Sequence, residues 1–250
     1  MIQTLVILAA ALLPAILLGL YIWKKDPHPE PTKELIKAVI GGVLISIPVV
    51  VIETLVQNTL FGGGEPTTLI GSTLQAFFVA ALPEEGAKLF VLWLLLRNNK
   101  HFDEHFDGIV YAVFISLGFA AIENVGYVFG SGENWMSTAV VRAFLAVPGH
   151  YADAILMGYF YALYHFVDKS RKNYWSILLM PVLAHGVYDS IAFSGSINPL
   201  LGGISFFVLV FFCIRLQKFA QNKVLDLVAK NKAADAAKAA EAEVIEVTEA

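Results

Sequence analysis

Apolar residues run along this chain in seven long blocks separated by short polar stretches: Ile2 to Trp23, Leu35 to Phe61, Leu69 to Leu96, Phe106 to Phe129, Thr138 to Val167, Tyr174 to Phe193, and Leu200 to Ile214. A helix needs about 20 apolar residues to cross the hydrocarbon core of a bilayer, and the blocks approach or exceed that length. The pattern predicts an all-α, polytopic membrane protein of about seven transmembrane helices. Residues 1–216 form the membrane domain, with most of the ionisable groups concentrated in 69–193. Residues 217–250 turn polar and rich in Ala, Lys and Glu, and read as a cytosolic tail, a frayed helix or partly disordered. The first block differs from a secretory signal because no Lys or Arg precedes it, its apolar stretch is too long, and Lys24 and Lys25 follow it. It reads as a retained anchor.

Composition agrees with the pattern and narrows it. Apolar side chains make up 57% of the chain and charged ones only 15%, far from the balance of a soluble domain. A net charge of -4 offers no basic face for nucleic acid, and a lone cysteine, Cys213, excludes an intrachain disulfide. The placement of Lys and Arg gives orientation. Of the 17, all but Lys88 and Arg142 fall in the first, third and fifth connections or in the tail, and the alternate loops hold none. Cationic loops stay in the cytosol, so the amino terminus is expected outside and the carboxy terminus in the cytosol.

An ionisable group at the centre of a bilayer costs about 2.5–3.5 kcal/mol, so it normally faces a polar interior and has a partner. Glu53, Glu84, Glu85, Lys88, Glu123, Arg142, His150, Asp153, His185 and Asp189 all lie within the proposed spans. Glu84 and Lys88, four apart after Pro83, share a helix face and pair, leaving Glu85 about 100° away and available. His185 and Asp189 have the same spacing, which lets a carboxylate orient an imidazole. His150 and Asp153, three apart, can do likewise. At about 1.5 Å of rise per residue, Glu123 lies ~9 Å, His185 ~12 Å and His150 ~18 Å below the outer ends of their spans. These groups are expected to meet in one layer in the outer half of the membrane. The remaining ionisable groups have simpler readings: Glu53 as a structural contact, Lys88 as a counter-ion or substrate contact, Arg142 as an interfacial or packing residue.

Three chemistries fit such a set. Hydrolysis needs a base for water, a donor or cation for the oxyanion and a proton for the leaving nitrogen. Two His and one Glu could hold Zn²⁺ with an open position for water, or a glutamate could act without metal. The same residues could relay protons in a carrier or serve a non-catalytic scaffold, although no internal repeat of the kind common in carriers is visible.

The order of the motifs chooses among these. Glu84-Glu85-Gly86-Ala87-Lys88 reads EExxK, Phe119 to Glu123 reads FxxxE, and His185 to Asp189 reads HxxxD, on successive helices. This resembles the PrsW family of intramembrane proteases, related to the type II CAAX prenyl endopeptidases, over Leu69 to Phe193. His150, within Pro148-Gly149-His150, is similar to a further polar position of the PrsW branch. The CAAX branch would show EExxxR and FxxxH, where this chain has Leu89 in the Arg place and Glu123 in the His place, which disfavours a prenylated substrate. The resemblance implies a multi-pass protease of the bacterial cytoplasmic membrane that makes the first cut in a single-pass anti-sigma factor. It also implies Glu84 or Glu85 as the activator of water, and Glu123, His150 and His185 as holders of zinc or polarisers of the scissile carbonyl. Asp189 would orient His185.

Overall fold

The computed structural model describes residues 2–249, with side chains from residue 3 to 241 apart from residue 238, and every regular element among them is helical. The helices are α1 (Ile2–Trp23), α2 (Thr32–Phe61), α3 (Leu69–Gln75), α4 (Leu82–Leu96), α5 (Asp107–Gly130), α6 (Trp135–Phe144), α7 (Ala146–Ala162), α8 (Arg171–Ser194) and α9 (Pro199–Glu249). Six stretches are long and apolar enough to cross a membrane: Gln3–Trp23, Thr32–Phe61, Asp107–Gly130, Gly132–Val167, Arg171–Ser194 and Pro199–Glu241. The seventh expected block is helical from Leu69 to Leu96 and is the polar member of the set, since it carries Glu84, Glu85 and Lys88.

Two spans are interrupted, each for a local reason. Between α3 and α4 the chain widens into π-helical turns over Ala76–Ala81. Pro83 has no N–H for the preceding turn and its ring crowds the carbonyl four residues back, and a π bulge relieves both. Between α6 and α7 the helix breaks at Leu145, whose φ of -119° leaves the helical range. α6 is therefore a separate short helix that buries only Ala139.

α5 is the axis of the bundle and packs against α1, α2 and α7. Glycines let the backbones close in. A Cβ on Gly118 would fall on the Val39 carbonyl of α2, and one on Gly158 of α7 would fall on the Gly108 carbonyl of α5. Close approach through small residues is how helices gain van der Waals contact in lipid, where neighbouring tails are as apolar as leucine.

The stretch after residue 216 is helical among the described residues. α9 continues through it, and Leu216, Ala220, Val224, Leu227 and Asn231 are buried, at spacings of three and four that put them on one face. Tyr159 on α7 donates to Asp226 Oδ2 at 2.9 Å, and the His105 backbone N–H donates to Asn231 Oδ1 at 2.9 Å. Composition does not register this seam because its apolar members recur at spacings of three and four among polar residues. The side chains of 242–250, which include the terminal glutamates, lie outside the described residues.

Candidate active site

α4, α5, α7 and α8 bring the ionisable groups together. α4 enters by its first turn, burying Glu84, Glu85 and Lys88. The Lys88 ammonium donates to Glu84 Oε2 at 2.9 Å and to Glu85 Oε1 at 2.8 Å, and lies 3.2 Å from His150 Nδ1. Spacing had assigned Lys88 to Glu84 alone and left Glu85 available. A buried ammonium has three protons to satisfy, and its flexible stem reaches acceptors both three and four residues back. Glu85 remains half available: Oε1 also meets His185 Nδ1 at 2.9 Å, while the fully buried Oε2 has no partner among the described residues.

The two imidazoles are held in the same way. His150 turns Nδ1 toward Lys88 and Glu84, and its Nε2 lies 2.7 Å from Glu123 Oε2. His185 turns Nδ1 toward Glu85, and its Nε2 lies 3.2 Å from Asp189 Oδ2. The rings stand perpendicular with centroids 5.3 Å apart. Each histidine thus shows one nitrogen to the α4 carboxylates and has the other fixed by a carboxylate behind it. The Ser116 hydroxyl adds a bond to the His150 carbonyl at 2.9 Å, tying α7 to α5 at this level.

Glu84, Glu85, His150 and His185 each offer a ligand atom within 4.8 Å of the others. Two imidazole nitrogens and two carboxylate oxygens suit zinc, and carboxylates on the far nitrogens are the usual support of metal-bound histidine. The residues present therefore fit a metal. The set differs from the expected one: Glu123 stands behind His150, outside the compact group, and Glu84 and Glu85 are inside it.

The surroundings revise three further readings. Arg142, taken as interfacial or packing, pairs with Glu123 Oε2 at 3.0 Å, donates from Nε to Asn124 Oδ1 at 2.6 Å and stacks 4.1 Å over Tyr127. Asp153 does not hold His150, whose nitrogens face Lys88 and Glu123; it is buried, with Oδ1 unpartnered among the described residues. Glu53, half-buried on α2, lies near Glu84 and Glu123. The cost of an ionisable group in a span was the signal that could have placed all three here, and it gave no partner. With them counted, Glu53, Glu84, Glu85, Glu123, Asp153 and Asp189 outnumber the cations Lys88 and Arg142. At low dielectric that excess needs protons or a metal ion to balance it.

A helical membrane protein whose interior holds two carboxylate-backed histidines beside paired glutamates has the equipment of a membrane-embedded hydrolase. Comparison with known proteins makes this specific. Residues 30–216 match the family described as PrsW family intramembrane metalloprotease. Protease PrsW of Clostridioides difficile (strain 630) is 36% identical over 187 residues, 72% of this chain and 76% of that protein. Protease PrsW of Geobacillus kaustophilus (strain HTA426) is 35% identical over 73% of this chain and 78% of its own length, and that of Bacillus subtilis (strain 168) 35% over 74% and 82%. No solved structure matches the chain. The chain belongs to the PrsW family: it is a peptidase and a multi-pass cell-membrane protein.

Proposed function

We propose that the centre hydrolyses a peptide bond in a single-pass membrane protein of the anti-sigma-factor type, making the first cut near the extracytoplasmic face. The proposed orientation has the amino terminus outside and the carboxy terminus in the cytosol, as the Lys and Arg distribution favours. The observation that carries the reading is the doubled arrangement of His150 with Glu123 and His185 with Asp189, both Nδ1 atoms turned toward the α4 glutamates.

In this reading Glu84, His150 and His185 hold a zinc ion, which when bound lowers the pKa of a water to about 7 and polarises the scissile carbonyl. Glu85 is the base. Its Oε2, which meets no partner among the described residues, takes the proton of the attacking water and passes it to the leaving nitrogen. Glu123 and Asp189 accept from the Nε2 sides, hold the tautomers and aim the rings. The closed packing of the centre keeps bulk water out, which strengthens each of these interactions.

The test is cleavage of a single-pass substrate by purified protein in liposomes, with and without a chelator. Glu85→Gln and His185→Ala should each abolish cleavage. Full cleavage by both variants would sink the assignment. Loss in Glu85→Gln together with indifference to the chelator would remove zinc from it and leave a glutamate-based hydrolysis.

A further inference from the structure

Lys88 stands in an unusual place for a structural counter-ion. The residue is 1% exposed, and its ammonium lies 2.9 Å from Glu84 Oε2, 2.8 Å from Glu85 Oε1 and 3.2 Å from His150 Nδ1, three of the four side chains whose ligand atoms gather within 4.8 Å. The Phe119 ring closes the remaining side, 4.4 Å from Nζ. These acceptor lone pairs are the ones a metal would use. Each can point at one cation at a time, and two cations a few ångströms apart in a low-dielectric interior repel strongly.

We propose that the Lys88 ammonium and a divalent metal are alternative occupants of the Glu84, Glu85 and His150 donor set, so that Lys88 sets how tightly the centre holds its metal. The inference rests on the metal-binding reading of the centre and adds to it a residue acting against the ion. Lys88 is not a ligand here; it keeps the two glutamates and His150 converged when no metal does so, and it must withdraw along its four-carbon stem when one does. A Lys rather than an Arg suits this, because a single compact ammonium on a flexible stem can leave without breaking a bidentate fork.

Zinc affinity measured by calorimetry on detergent-solubilised protein tests the proposal without recourse to activity. Lys88→Met removes the charge at similar length and should tighten zinc binding by about tenfold or more. Zinc should also raise the melting temperature of that variant by more than it raises that of the wild type. Lys88→Arg keeps a cation and should bind zinc no better than the wild type. Lys88→Met binding zinc equally or more weakly overturns the proposal while leaving the metal reading intact. Zinc binding by neither protein, in preparations whose wild type cleaves substrate, overturns both and leaves only hydrolysis by Glu85. Should Lys88→Met not fold, the wild type still decides: amine-reactive labelling of Lys88, read by mass spectrometry, should rise on zinc titration, and unchanged labelling overturns the proposal.

Discussion

Two buried acid clusters occupy different levels of this bundle, and only one of them is arranged for chemistry. Between the α1–α2 and α4–α5 connections, Asp26, Glu30 and Asp107 are buried together. The donors that reach them are neutral or backbone: Tyr111 donates to Glu30 at 2.9 Å, the His28 N–H to Asp26 Oδ1, and the Asp103 and Glu104 N–H groups to Asp107 Oδ2, while Asp26 Oδ2 and Asp107 Oδ1 have no partner among the described residues. Glu104 holds His28 and Asn231, which fastens α9 to the loops. No Lys or Arg pairs with Asp26, Glu30 or Asp107 among the described residues. The other cluster has Lys88, Arg142 and two imidazoles converging on shared carboxylates. Acid count does not separate the two clusters; the kind of donor facing the acids does. Backbone and hydroxyl donors fix a loop, whereas imidazoles with one nitrogen backed by a carboxylate and the other presented inward make a reactive site.

Substitutions should widen that contrast. The largest effect belongs to Glu85→Gln, which keeps shape but removes the base; cleavage in liposomes should fall by about 10²–10⁴-fold. Asp107→Asn in the other cluster should leave cleavage within about twofold, since it touches no reacting group; a comparable loss there would erase the distinction drawn between the clusters. Next come Asp189→Asn and Glu123→Gln, which leave both imidazoles in place but unanchored. Each should weaken metal affinity by about 10–100-fold, and similar values for the two would support the doubled arrangement. An effect of Asp189→Asn with none of Glu123→Gln would make His150 an ordinary hydrogen-bonded residue.

The smallest effect is on stability. Burial pushes the Glu30 carboxyl up to about 7. In the unfolded chain it ionises near its ordinary value, so its favourable contribution is complete below about pH 4 and is lost as pH rises toward 7. The melting temperature should therefore decline over that window, and Glu30→Gln should flatten part of the slope without altering cleavage. A slope identical in wild type and variant would remove Glu30 from the account.

The spans were legible because a bilayer demands about twenty apolar residues of any helix that crosses it, a requirement written directly into sequence. The His185–Asp189 pair was legible for the same local reason, four residues being one helical turn. What spacing does not carry is the partner on another helix. His150 sits three residues from Asp153, yet its nitrogens go to Lys88 on α4 and Glu123 on α5. Arg142 and Glu53 read as bland within their own spans and become members of the centre only when α6 and α2 pack on α5. Glu123, expected among the zinc holders, is displaced to the rear of His150 by that same packing. The docked part of α9 was hidden by composition, since its stripe of Ala220, Val224 and Leu227 is interleaved with polar residues and shows only in their spacing.

The central claim is that His150 and His185 present their Nδ1 atoms to one shared metal position beside Glu84 and Glu85. The most direct measurement is the visible spectrum of the purified protein loaded with one equivalent of cobalt(II), whose bands report nitrogen and oxygen coordination. The account predicts a four-coordinate spectrum in the wild type that is lost or strongly altered in both His150→Ala and His185→Ala. A spectrum that neither substitution changes would contradict it.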